Sequence, residues 1–151
     1  MIKVLFCCHG NICRSTMAEF VMKELVRRAG REQEFLIQSA ATSREEIGAD
    51  THPGTKRELR AHGIPYGPRQ AVQLTAQDYD AFDYIIGMDE ENIRNIRRIT
   101  GGDPGHKVYR LLHFAGQQRS VADPWYTGDF SATWEDVLAG CSGLLGHTRN
   151  L

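Results

Sequence analysis

The chain has 151 residues, 41% hydrophobic and 25% charged, which suits one domain around one core, spanning 1–151. A formal net charge of −1 gives no electrostatic reason to expect nucleic acid or an anionic membrane as partner. No apolar run is long enough to span a bilayer, residues 1–4 lead into a strand without a cleavage-site pattern, and the four cysteines are poorly spaced for a disulfide framework, so the expected location is cytoplasmic.

Residues 2–8 are a short β-rich apolar run, the pattern of a buried strand. Ala18, Val21, Met22, Leu25 and Ala29 then recur at helical spacing, with Gly30 placed to end the helix. Residues 35–39 predict a second strand. A helix is expected from Pro53, a favoured first-turn residue, to Gly63. Thr75 with Asp78 resembles a capping box for a short helix. Residues 84–88 predict a third strand, and Asp89 an N-cap for the helix carrying Ile93 and Ile96. Residues 108–112 predict a fourth strand, and Trp134, Val137, Leu138, Cys141 and Leu145 share one side of a last helix. The alternation implies an α/β fold, a four-stranded parallel sheet flanked by helices on both faces, with right-handed crossovers. Ligands of such sheets sit beyond the carboxyl ends of the strands, so the segment after the first strand is the first place to look.

That segment is Cys8, His9, Gly10, Asn11, Ile12, Cys13, Arg14 and Ser15, lying between the first strand and the first helix. A thiolate attacks tetrahedral phosphorus well, and a helix N-terminus with converging amides lowers a cysteine pKa to roughly 3.5–7.5. Gly10 and Asn11 tolerate the positive φ that a tight anion-cradling loop requires. Amides from His9 to Arg14 can form a nest for phosphoryl oxygens, and the Arg14 guanidinium offers a planar fork for two of them. The Ser15 hydroxyl is close enough in sequence to reach the Cys8 sulfur. A C-x₅-R-S pattern alone is weak; its position between a buried strand and an amphipathic helix makes Cys8 a candidate nucleophile.

The loop resembles that of the low-molecular-weight protein-tyrosine phosphatases, whose C-x-G-N-I-C-R-S pattern matches residues 8–15. The resemblance continues through Ser39-Ala40-Ala41-Thr42-Ser43, His62-Gly63-Ile64, Phe82-Asp83-Tyr84-Ile85-Ile86, Met88-Asp89-Glu90 and Asp123-Pro124-Trp125-Tyr126, in the family's order. It implies phosphotyrosine hydrolysis on a protein substrate through a phosphocysteine intermediate, with no metal and no cofactor. Cys8 would be the nucleophile, Arg14 the phosphate clamp and Asp123 the general acid, with Trp125 and Tyr126 walling the cleft. Asn11, Ser15, Ser39 and His62 would brace the loop, and Cys8 with Cys13 would form a reversible disulfide under oxidation. A monomer, or weak self-association, is expected. From the residues alone, His62 is a helix-end residue, Cys7 and Cys141 are core, and the arginines at 27, 28, 94, 97 and 98 are solvated helix faces.

The match departs at three positions. Thr16 stands where the family often has proline, His9 where small or apolar residues are usual, and Glu45 where an aromatic commonly sandwiches the substrate ring. A carboxylate at 45 cannot stack, and it repels anions. Three other functions compete. A thioredoxin-coupled arsenate reductase needs further resolving cysteines, which residues 75–105 lack. A protein-arginine phosphatase of the same family has threonine where Ile12 stands. A non-catalytic phosphotyrosine-binding module has no need of Cys8, Arg14 and Asp123 together.

Overall fold

The structure, a computed structural model, describes residues 1–149. Strands β1 (Ile2–Cys8), β2 (Phe35–Ala41), β3 (Tyr84–Gly87) and β4 (Val108–Arg110) form one sheet in the order β2-β1-β3-β4, every pair parallel. Helices α1 (Arg14–Arg28), α2 (Pro53–Ala61), α3 (Asp78–Ala81), α4 (Glu90–Thr100), α5 (Pro124–Thr127) and α6 (Phe130–His147) complete the regular elements, with 3-10 turns at Glu32–Glu34 and Leu111–Ala115. The four-stranded parallel sheet flanked by helices is thus the architecture the alternation implied.

Period two along β1 divides its side chains between two cores. Val4, Phe6 and Cys8 join a cluster with Met17, Val21 and Met22 of α1 and Val137, Cys141 and Leu144 of α6. Leu5 and Cys7 join the opposite cluster with Ile93 and Ile96 of α4. Each fully buried side chain of this size contributes about 1.5–3 kcal/mol, so both faces of the sheet are firmly covered. Close approach on the α6 side needs glycine: a Cβ at Gly140 would lie 2.4 Å from Leu111 Cγ, and one at Gly143 only 2.0 Å from the Phe114 carbonyl oxygen.

Three strand boundaries differ from expectation. β3 ends one residue early, at Gly87, because Met88 leads into the Asp89 cap of α4. β2 runs on to Ala41, because Ala40 and Ala41 pair with Cys7 and Cys8, and residues 72–74 bond Ala41 on the other side. β4 stops at Arg110, since Leu111 and Leu112 are buried under α6 in the 3-10 turn instead of extending the sheet. No helix among the described residues is long and apolar enough to cross a membrane.

Candidate active site

Cys8 ends β1 and Arg14 begins α1, so five residues must turn the chain through a tight loop at the carboxyl edge of the sheet. Asn11 supplies the bend with φ of 59°, a left-handed conformation that costs a non-glycine residue about 1–3 kcal/mol unless its surroundings enforce it. Its side-chain amide donates to Ser15 Oγ at 2.8 Å and Ser39 Oγ at 2.9 Å. Its side-chain oxygen accepts from Arg69 Nη2 at 3.1 Å and the Val72 amide at 3.2 Å, while Arg69 Nη1 reaches its carbonyl at 3.2 Å. Ser39 in turn donates to Glu19 Oε1 at 2.5 Å. Thr16 and Thr55 both donate to the Cys13 carbonyl, at 3.1 and 3.2 Å, which fixes the loop's far end.

This network fixes donors as well as positions. Ser15 Oγ accepts from Asn11, which leaves its own hydrogen free for Cys8 Sγ at 3.0 Å. The amides of residues 10–13 bond no other backbone oxygen among the described residues. Arg14 is 2% exposed, with Nη1 on Asp89 Oδ2 at 2.7 Å and on the Val121 carbonyl at 2.9 Å. Its Nη2 lies 3.4 Å from Asp123 Oδ2, and its Nε is buried without a protein partner. A buried orphan donor beside unused amides is what an oxyanion completes. Burial alone would lower the Arg14 pKa, but Cys8, Asp89 and Asp123 outweigh it and raise it, so the fork is a fixed cation. Burial, reinforced by nearby Cys8, pushes the Cys13 thiol up to about 12, and burial raises Cys7 and Cys141 as well.

Asp123 caps α5, accepting from the Trp125 amide at 3.0 Å, with Pro124 at the first helical position. The cap places its carboxyl on the pocket lip facing Cys8 and Arg14. Cys8, His9, Gly10, Ile12, Cys13, Arg14, Glu45, Glu46, Asp123, Trp125 and Tyr126 line this pocket. Glu45 is solvent-exposed, yet its Oε2 lies 2.9 Å from His9 Nε2, across the mouth. A Cβ at Gly10 would sit 3.3 Å from Glu46 Cγ, so a bare backbone lets the second carboxylate in.

One assignment requires correction. His62 does not reach Asn11; its ring is stacked on Trp134 with centroids 4.0 Å apart and planes within 6°. It is drawn to that indole at the end of α2, and the bonds expected of it are made by Arg69. Asp89 and Glu19 were also missed, the first visible in sequence only as a cap and the second only as a helix charge. Arg69 is mostly buried and holds two atoms of a strained residue. Arg69→Ala should cost about 1–3 kcal/mol of stability, measured by urea unfolding. A loss within experimental error would show that the serines and the Val72 amide hold Asn11 without Arg69.

Three comparisons bear on this site. The profile of one family, low molecular weight phosphotyrosine protein phosphatase, matches residues 3–150. The chain is 41% identical to the low molecular weight protein-tyrosine-phosphatase YfkJ of Bacillus subtilis, over 99% of this chain and 97% of YfkJ. It is 38% identical to the low molecular weight protein-tyrosine-phosphatase PtpA of Staphylococcus epidermidis, over 97% and 94% of the two chains. The crystal structure of YfkJ superposes with a TM-score of 0.95, covering 99% of this chain and 95% of that one at 40% identity. That of SP-PTP, a low molecular weight protein tyrosine phosphatase from Streptococcus pyogenes, gives 0.88, covering 98% and 93% at 41% identity.

Proposed function

The chain belongs to the low molecular weight phosphotyrosine protein phosphatase family, and from that premise we propose that it hydrolyses protein phosphotyrosine through a phosphocysteine intermediate, without a metal ion. The observation that carries this reading is the buried, partnerless Arg14 Nε set beside the loop around the Cys8 sulfur. The phosphoryl oxygens take the loop amides and the Arg14 donors, which hold phosphorus in line with Cys8 Sγ. The S–P bond forms as the P–O bond to the tyrosyl ring breaks, and Asp123 gives that oxygen a proton. Water then attacks phosphorus, the S–P bond breaks, and Asp123 takes a proton from the water. Arg14 and the amides supply the positive field that a metal would otherwise provide. Trp125, 58% exposed, and Tyr126, 83% exposed, stand where a tyrosyl ring on a protein surface would enter. Ile12 puts an apolar side chain in the pocket wall, which suits a phenyl leaving group better than a guanidinium.

The test is phosphate release from an aryl phosphate and a phosphotyrosyl peptide, with and without EDTA, and acid-quench trapping of phosphorylated Cys8. Failure to hydrolyse either substrate overturns the reading; loss of activity in EDTA, restored by a metal ion, overturns the metal-free mechanism. The whole chain is read as one phosphatase domain acting as a monomer or with weak self-association. The free thiols Cys7, Cys8, Cys13 and Cys141 fit a reducing cytoplasm.

Under oxidation, peroxide would convert Cys8 to a sulfenic acid, and Cys13 would displace its oxygen as water to close a disulfide. That step runs only as fast as the buried Cys13 yields a thiolate. Peroxide-treated protein should recover with thiol, because the disulfide shields Cys8 from sulfinic acid, whereas unshielded Cys8 in Cys13→Ser should pass on to sulfinic acid and stay inactive. Peptide mapping that joins Cys8 to Cys7, or to nothing, would dismiss the pair.

The rim carries a further expectation. Glu45 and Glu46 make one side of the mouth acidic, which disfavours acidic residues beside phosphotyrosine and favours basic ones. Glu45 is 70% exposed, so the preference should weaken as salt rises. Glu45→Trp removes the charge and adds a stacking face worth about 0.5–1.5 kcal/mol. It should lower KM for simple aryl phosphates and erase the ranking of matched acidic- and basic-flanked phosphopeptides. Unchanged KM and unchanged ranking would reduce Glu45 to a surface partner of His9.

A further inference from the structure

We propose that His52 is a positioning residue that holds Trp125 as the ring-binding wall of the cleft, and so sets affinity for the aromatic half of the substrate without touching its phosphate. The proposal rests on the phosphatase reading above. His52 precedes α2 and joins three parts of the molecule. Its Nδ1 accepts from the Gly54 amide at 2.9 Å, which caps α2, fixes the ring plane and places the ring hydrogen on Nε2. Its own amide donates to the Ile12 carbonyl in the phosphate loop at 2.9 Å. One ring face lies on Phe130, centroids 5.0 Å apart and planes 23° from parallel. Trp125 meets the ring in a T-shaped contact at 5.8 Å and 82°.

The surroundings are shaped for this stack. A Cβ at Gly54 would fall 2.5 Å from the Phe130 ring, so only glycine lets Phe130 lie close enough to stack on the imidazole. Trp125 is more than half exposed, and His52 is its aromatic contact among the described residues. Tyr126, its neighbour on the one-turn helix α5, is more exposed still. Without the imidazole, the indole would face solvent with free choice of rotamer, and the cleft would lose a preorganised wall. Ordering that side chain on substrate binding would then weaken the aryl contact. Inorganic phosphate, held by the loop amides and Arg14, would notice little.

Two substitutions separate the ring from the cap. His52→Asn keeps an oxygen to cap α2 but removes the ring. It should raise KM for naphthyl phosphate roughly two- to tenfold, the span that ring pairs of this kind represent. The competitive Ki of inorganic phosphate should stay within about twofold. Acrylamide should quench the indole emission more strongly, a change assignable to Trp125 because Trp134 is buried beneath His62. His52→Phe keeps a ring but loses the cap, so KM should stay close to the parent value while Tm falls by about 2–4 °C. An unchanged KM and unchanged quenching in His52→Asn overturns the proposal, and so does a parallel rise of KM and phosphate Ki, which would put the defect in the loop. If the parent protein fails to hydrolyse aryl phosphates, the phosphatase reading falls instead, and the quenching comparison still tests the His52–Trp125 contact.

Discussion

Cys8→Ser should abolish turnover of every phosphomonoester while leaving a folded protein, and Arg14→Lys should lower kcat by about 10²–10³. The two losses have different causes. Serine at position 8 preserves shape and the contact with Ser15, 3.0 Å away in the parent, but a neutral hydroxyl has no base beside it to take its proton. The Ser15 hydroxyl is too weak a base for that task, and Asn11 already donates to its oxygen. Lysine at 14 keeps the charge but not the fork. Nη1 is occupied by Asp89 and Val121, which leaves Nε and Nη2 to face the phosphoryl group; one ammonium cannot do both tasks. Arg14→Ala would also strand Asp89 without its cation, so lysine is the safer variant for separating catalysis from folding. Steady-state assays on an aryl phosphate, with circular dichroism and thermal melts on the same samples, read both. Substantial turnover by Cys8→Ser would show that another group attacks phosphorus.

The fold was legible because its sheet is buried on both faces. β1 is apolar without a break from Val4 to Cys8, and the helix stripes at 18–29 and 134–145 have the period of one-sided burial. The proposed phosphate loop was visible for a local reason: its candidate nucleophile Cys8, the bend at Asn11 and the Arg14 guanidinium lie within seven residues between two recognisable elements. Where the sequence was ambiguous, the ambiguity was physical. Leu111 and Leu112 are as apolar as a strand, and Gly140 and Gly143 of α6 make room for Leu111 and the Phe114 carbonyl in a tighter turn.

The supporting residues are another matter. Arg69 lies in a turn-rich stretch where an arginine reads as solvated, yet it braces Asn11 from 58 positions away. Asp89 is an N-cap in both sequence and structure, with Oδ1 accepting from the Asn92 amide; that Oδ2 holds Arg14 depends on β3 lying next to β1. Glu19 reads as an exposed helix charge but is 7% exposed, held by Ser39 and Lys23. Such roles follow from sheet order, which spacing along a single chain does not encode.

Asp123→Asn is expected to lower kcat by about 10²–10⁴ for phenyl or tyrosyl phosphate, and progressively less as the leaving phenol becomes more acidic. Asparagine keeps the α5 cap, since its Oδ1 can still accept from the Trp125 amide, so the lip should hold its place. What it loses is the transferable proton. A phenolate of high pKa leaves poorly without one, whereas a dinitrophenolate is stable as the anion, so the dependence of rate on leaving-group pKa should steepen. KM should not rise in step. The parent carboxylate lies 3.4 Å from Arg14 Nη2 and competes with substrate for that donor, and a neutral amide competes less. The loss should therefore fall on kcat. In the proposed mechanism Asp123 also serves the second step, taking a proton from the attacking water. The variant should accordingly accumulate phosphorylated Cys8 with an activated substrate, seen as a burst of phenol before a slow steady state. Asp123→Ala should show the same kinetics with added mobility of the lip, because it removes the cap as well as the acid. An equal rate loss across all leaving groups, with no burst, would mean that Asp123 shapes the lip and the proton comes from elsewhere.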